Sequence, residues 1–183
     1  CGGLCPGIND VIRSITMTLF HRYGVKNILG IKNGFRGLNP DYGKIPVQLT
    51  PDMVKDITHI GGSILSSSRG PQDAKVMVDY LELLNINLLF CVGGDGTMRA
   101  AEKLTAEITA RNAMIAVIGI PKTIDNDLNL IEKSFGFDTA IEKTVEAVRS
   151  AHVEAKGAYN GIGLVKIMGR LSGYITATAA LAQ

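Results

Sequence analysis

The stretch Val92-Gly93-Gly94-Asp95-Gly96-Thr97 constrains this chain more than any other. It follows an apolar run, Ile86 to Val92, and precedes a helical pattern from Met98 to Arg111. A short apolar run bounded by glycine predicts a strand buried in a parallel sheet. A glycine-rich turn between strand and helix exposes backbone N–H groups and a helix N-terminus, which together attract phosphate. The one carboxylate in the turn, Asp95, does not suit direct contact with phosphate. Its natural role there is to hold Mg2+, directly or through water, beside a nucleotide. The bland account is a tight strand-to-helix turn that happens to be rich in glycine. Three glycines around one acid weigh against it, although the motif alone does not fix a class of enzyme.

The rest of the chain repeats the alternation. Apolar residues at helical spacing predict a helix over Asn9 to Arg22, capped by Asn9 and ended by Tyr23-Gly24. Lys26 to Lys32, Met114 to Ile120 and Gly161 to Met168 read as further strands, and Phe35 to Pro46 as loop. Helices are expected over Pro51 to His59 with Thr50 as cap, over Asp73 to Asn85, over Asp138 to Ala155, and from the Gly169–Gly173 loop to the end. Apolar strands alternating with helices predict an α/β fold with a doubly wound parallel sheet covered on both faces. Ligands in such sheets sit beyond the carboxyl ends of the strands. Loops 1–7, 93–97, 121–127 and 168–173 fall there and Arg69 can join them, so their polar residues are expected to converge on one crevice. The glycine loop at Cys1 has no strand before it, and Gln183 falls inside a helical pattern. The expectation is a piece of a longer chain with its first strand missing and a domain boundary near Phe137-Asp138.

Composition removes several classes. Hydrophobic residues make up 46% of 183, which suits a globular chain. Net charge is +2 with no Lys/Arg block, which argues against an extended nucleic-acid footprint. No apolar run reaches membrane-spanning length and no signal-peptide pattern is present, so no membrane partner is expected. Cys1 and Cys5 form a C-x3-C pair without a second pair, a poor zinc pattern, and Cys91 reads as a buried small hydrophobe. His21, His59 and His152 have no visible chemical partner and are treated as structural.

Thr123-Ile124-Asp125-Asn126-Asp127 places two carboxylates two residues apart after a strand. In an extended segment they share a side and Asn126 points away. One carboxylate can accept a proton from an attacking hydroxyl, and the other can orient Mg2+ or Lys122. Arg69 and Arg170 are either surface arginines or guanidiniums that neutralise a transferring phosphoryl group. Phosphoryl transfer needs in-line positioning, Mg2+, cations and often a base, and these loops contain that set.

Gly2-Gly3-x-x-Pro6-Gly7-x-Asn9, Gly93 to Thr97, Pro121 to Asp127 and Met168-Gly169-Arg170 occur in the order and approximate spacing of the phosphofructokinases. The resemblance covers essentially the whole chain. It is strongest to the plant and protist branch, through Cys1 to Gly7 and through Phe135-Gly136-Phe137-Asp138-Thr139-Ala140. It implies an ATP-dependent 6-phosphofructokinase of glycolysis. Residues 1–137 would be the ATP-binding domain and 138–183 the start of a sugar-phosphate-binding domain. Gly3 would face the ATP phosphates, Arg69 and Gly70 the nucleotide, with Arg69 near the transferred group. Gly94, Asp95, Gly96 and Thr97 would line the phosphates, with Asp95 on Mg2+. Thr123, Ile124 and Asp125 would contact the sugar phosphate, with Asp125 as base on the fructose 1-hydroxyl and Asp127 in support of metal and phosphate. Met168, Gly169 and Arg170 would hold fructose 6-phosphate. The resemblance also implies a homo-oligomer, dimer or tetramer, and a cytoplasmic enzyme, any glycosome or plastid address lying outside these residues.

The donor follows from two positions. Pyrophosphate-using members carry Asp where this chain has Gly96, and a carboxylate there would repel the ATP α-phosphate. Lys122 pulls the other way, being usual in pyrophosphate enzymes. The plant and protist ATP branch resembles this chain in pairing Gly96 with Lys122, so ATP is expected. Bacterial members place an Arg seven residues before the Met of Met-Gly-Arg and this chain has Gly161, so their inter-subunit contacts do not transfer. Substrate-binding residues of a C-terminal half are absent, and little activity is expected from these residues alone. An NAD or diacylglycerol kinase would account for 93–97 but not for 121–127 or 168–170. A nucleotide sensor of the same fold need not keep Asp125.

Overall fold

The computed structural model describes residues 3, 5–42 and 45–183. They fall into two compact units, Cys1–Pro121 and Lys122–Gln183. The first runs α1 (Ile8–Arg22), β1 (Leu29–Gly30), β2 (Val47–Gln48), α2 (Pro51–Val54), α3 (Ala74–Leu83), β3 (Leu88–Gly93), α4 (Asp95–Ala110) and β4 (Ala116–Pro121). The second holds α5 (Phe137–Gly157) and α6 (Tyr174–Leu181).

The architecture is α/β, with β3 and β4 paired in parallel, Leu88 opposite Ala116 through Gly93 opposite Pro121. Helix α4 connects them. Its apolar stripe, Ala101, Leu104 and Ile108, packs with Met77, Val78 and Leu81 of α3 over Leu89 and Cys91 of β3. Leu81 and Leu104 are fully buried, as the 3.6-residue spacing requires of a core face. At the far end of α4, Arg111 fastens the two helices together. It pairs with Asp79 and Glu82 of α3 and with Glu107 of α4, and donates to the Lys75 carbonyl. Cys91 is buried as expected, and burial pushes its thiol up to about 11, so it is an inert core residue at neutral pH.

The described parallel sheet has two strands. The Ala116 amide donates to the Asn87 carbonyl, so the backbone groups of Asn87, Leu89 and Cys91 face β4. Those of Leu88, Phe90 and Val92 face the opposite edge by the same alternation. That edge opens on an apolar groove of about 260 Å³, walled by Ile8, Ile12 and Leu19 of α1 and by Leu29 and Gly30 of β1. Strand β1 pairs instead with β2, antiparallel, a two-residue ladder after Pro46 too short to read in a segment otherwise full of glycine and proline.

Several local expectations change, and the helix expected over Pro51 to His59 stops at Val54, with a separate single turn over Ile57–His59. Residues 161–168 are not a strand: among the described residues none pairs with them, and Ile162 and Leu164 are more than nine-tenths exposed. Alternating apolar residues supply one face of a strand, but a ladder needs a neighbour. Asn9 does not cap α1; Gly7, at φ 92, holds that position and Asn9 lies buried in the first turn. Helix α4 begins at Asp95, earlier than the Met98 start expected. Thr50 does cap α2, its hydroxyl accepting the Met53 amide at 3.3 Å. The Cys1 and Gly2 part of the glycine loop lies outside the described residues.

Candidate active site

The early start of α4 turns the glycine loop into a helix terminus. Gly94 is the N-cap, with no side-chain cap, and its carbonyl already accepts from Thr97 and Met98. The Asp95 and Gly96 amides therefore stand at the N-terminus without an intrahelical acceptor, at the positive end of the helix dipole. Asp95 and Gly96 are exposed, whereas Thr97 is buried. Thr97 packs straight back over Gly93: a Cβ there would overlap the Thr97 hydroxyl and Cβ. Gly93→Ala should destabilise the protein by about 2 kcal/mol through overpacking, read as a lower denaturant midpoint. An unchanged midpoint would mean that Thr97 swings away freely. Gly96 is the opposite case, since a Cβ there meets nothing within 4 Å.

A divalent cation fits this turn in one way. No cluster of three or more His, Cys, Asp or Glu able to cage a metal exists among the described residues. A lone exposed carboxylate, now paired with Arg99 one turn along α4, suits Mg2+, which keeps waters and takes its other ligands from phosphate oxygens.

Gly3 and Arg69 are neighbours in the same unit: a Cβ built on Gly3 lies 3.3 Å from the Arg69 guanidinium. Asn9 contributes to that approach. Its amide donates to the Ile60 carbonyl at 2.7 Å and its side-chain oxygen accepts from Ile64 at 3.0 Å, tying the first turn of α1 to the loop that leads to Arg69. The Ser68 hydroxyl donates to Asn33, holding the same loop from the other side. Arg69 and Gly70 are exposed, and Gly70 takes φ 102, where a side chain would be strained.

In the second unit the acidic loop is not extended. Asn126 adopts φ 52, so its side chain turns inward rather than away from the site. Its oxygen accepts from the Ser134 amide at 2.8 Å and its nitrogen donates to the Glu132 carbonyl at 3.1 Å. The buried Ser134 hydroxyl also reaches the Thr123 carbonyl. Thr123 in turn accepts the Asp125 amide on its own hydroxyl at 3.1 Å. Asp125, Thr123 and Ile124 are half-buried, Asp127 is exposed, and Lys122 is buried. Asp127 borders a hollow of about 530 Å³ with Glu132, Ser172 and Tyr174.

The Met168-Gly169-Arg170 loop is a tight turn closed by the Ser172 amide on the Gly169 carbonyl at 2.9 Å. Gly169 has φ 130 and Arg170 φ 50, a left-handed backbone that an arginine adopts only when its surroundings hold it there. Arg170 and Met168 are exposed and Gly169 is buried. This turn is joined to the acidic loop by Ser172, whose role, like the bracing by Asn9 and Ser134, has no signal in the sequence. At Gly161, a Cβ would collide with the Ala155 carbonyl, so no longer side chain fits in this conformation.

The fold and the strand–glycine turn–helix unit define an α/β protein with a phosphate-type loop. The model of the Phosphofructokinase family matches residues 1–183, and the chain belongs to that family. It is 56% identical over 183 residues to an ATP-dependent 6-phosphofructokinase of Borreliella burgdorferi, covering 100% of this chain and 41% of that protein. It is 53% identical to the ATP-dependent 6-phosphofructokinase of Trypanosoma brucei brucei, covering 100% of this chain and 38% of that one. With the chloroplastic ATP-dependent 6-phosphofructokinase 4 of Arabidopsis thaliana it shares 51%, over 100% of this chain and 34% of that one. The chain thus spans about two-fifths of the length of these relatives. Among solved structures, a phosphofructokinase of Pichia pastoris in the T-state superposes with a TM-score of 0.83 at 23% identity, over 98% of this chain and 19% of that one. A pyrophosphate-dependent phosphofructokinase of Marinobacter aquaeolei gives 0.80 at 22%, over 100% and 47%.

Proposed function

We propose that the full-length protein transfers the γ-phosphoryl group of MgATP to the 1-hydroxyl of fructose 6-phosphate, giving fructose 1,6-bisphosphate and ADP. The observation that carries this reading is a set of four site motifs retained in order along a chain 56% identical to a protein named as that ATP-dependent enzyme.

The roles divide between the units. In the first, the free amides of Asp95 and Gly96 accept polyphosphate oxygens, with Gly3, Gly94 and Thr97 shaping the turn. Arg69, beside Gly3 and Gly70, neutralises the transferred group. Asp95, paired here with Arg99, would hold Mg2+, which would supply positive charge against the charge developing on the transferred group. In the second unit Asp125 takes the proton of the attacking hydroxyl, Thr123 and Ile124 contact the sugar phosphate, and Asp127 supports the phosphate side. Met168, Gly169 and Arg170 hold fructose 6-phosphate, with the Arg170 fork on its phosphate. Residues 1–137 form the ATP-binding domain, with loop 121–127 also serving the sugar phosphate, and 138–183 open the sugar-phosphate domain. The full-length protein assembles as a homo-oligomer and works in the cytoplasm, or in an organelle of the glycosome or plastid type.

Arg170→Ala tests the division. Loss of one guanidinium–phosphate contact should raise KM for fructose 6-phosphate by about 10- to 100-fold and leave KM for ATP within about twofold. The reverse pattern would place Arg170 with the nucleotide and overturn this assignment.

A further inference from the structure

We infer that Ser172 is a positioning residue that couples the Arg170 turn to the backbone of Asp125, an inference that rests on the reading of Asp125 as the base. The Ser172 hydroxyl lies 3.0 Å from the Asp125 carbonyl oxygen and 2.9 Å from that of Gly169. Gly169 is already served by the Ser172 amide. The hydroxyl has one proton to share between the two carbonyls, and the bond to Asp125 is the one that reaches another loop, 47 residues away in sequence.

The consequence concerns where a carboxylate points. Both backbone polar groups of Asp125 are held by side-chain hydroxyls: its amide by Thr123 at 3.1 Å, its carbonyl by Ser172 at 3.0 Å. The carboxylate takes part in neither bond and stays available for a proton. Asn126 and Ser134 brace the loop downstream, at 2.8 Å. Ser172 alone among these braces stands in the turn that carries Arg170, where Gly169 at φ 130 and Arg170 at φ 50 fix the direction of the loop. The hydroxyl therefore links the residue that would grip the sugar phosphate to the residue that would take its proton. A lost link should cost aim more than stability, because Ser172 is half-buried and not among the buried core residues.

Three measurements on the full-length protein decide the matter. Ser172→Ala should lower kcat for fructose 6-phosphate by about tenfold, the worth of one neutral hydrogen bond, and leave KM for ATP unchanged. Ser172→Thr, which keeps the hydroxyl, should recover most of that loss. Hydrogen exchange of residues 122–127 should quicken in the alanine variant and not in the threonine variant. An alanine variant with wild-type kcat and unchanged exchange overturns the inference, as does a threonine variant no better than alanine. The exchange readout is independent of turnover. Quickened exchange in a protein whose wild type phosphorylates no sugar would uphold the link and remove the proposed activity.

Discussion

Asp125→Asn in the full-length protein should lower kcat by about 100- to 10,000-fold, the span general-base catalysis supplies. The substitution keeps the size of the side chain and removes its ability to take a proton. It leaves the backbone bonds to Thr123 and Ser172 untouched, so the loop should keep its shape and KM values should stay within about threefold. That separates it from Ser172→Ala, which keeps the base and disturbs its support. Steady-state rates at saturating substrates, with ATP binding measured by calorimetry, give the answer. If the variant retained more than about a tenth of wild-type turnover, another group or solvent would be taking the proton, and Asp125 would lose its role.

Gly96→Asp should weaken ATP use by about 100-fold or more. The reason lies in open space and charge. A Cβ at this position meets nothing within 4 Å, so aspartate fits without disturbing the fold. Its carboxylate would then stand in the first turn of α4, beside the Asp95 carboxylate, where a polyphosphate is expected. Two like charges about 4 Å apart repel by about 4 kcal/mol at an effective dielectric near 20, more than enough for a hundredfold effect. Because the cost falls on the ATP α-phosphate, pyrophosphate should be affected less, and the ratio of the two donors should move toward pyrophosphate. If ATP kinetics did not change, the Gly96 turn would lie away from the donor, and the donor argument would fall.

The parts of the fold that depend on local pattern could be read directly. The apolar run before Gly93, the helix after the glycine turn and the Thr50 cap are all statements about neighbours in sequence, and the structure has each of them. The failures share a cause in longer-range contacts. Asn9 looked like a cap because asparagine caps helices; its two partners, Ile60 and Ile64, are more than 50 residues away. Asn126 was expected to point outward from an extended segment, but Ser134 and Glu132 draw its side chain inward and its φ becomes positive. Residues 161–168 have strand-like composition and no ladder among the described residues. The candidate site residues stand out in the sequence by charge or by glycine, as Thr50 does by its place before Pro51. Ser172 was not, since a single serine in a glycine loop carries no periodic or compositional signal, and its meaning comes only from the Asp125 carbonyl it meets.

The most direct test of the account is phosphorylation of fructose 6-phosphate by the full-length protein, with MgATP and pyrophosphate assayed side by side. Fructose 1,6-bisphosphate is expected with ATP, and none above background with pyrophosphate. Product with pyrophosphate only would mean that Lys122 or residues elsewhere set the donor against Gly96. Product with neither donor would contradict the proposed activity and return the site to nucleotide sensing.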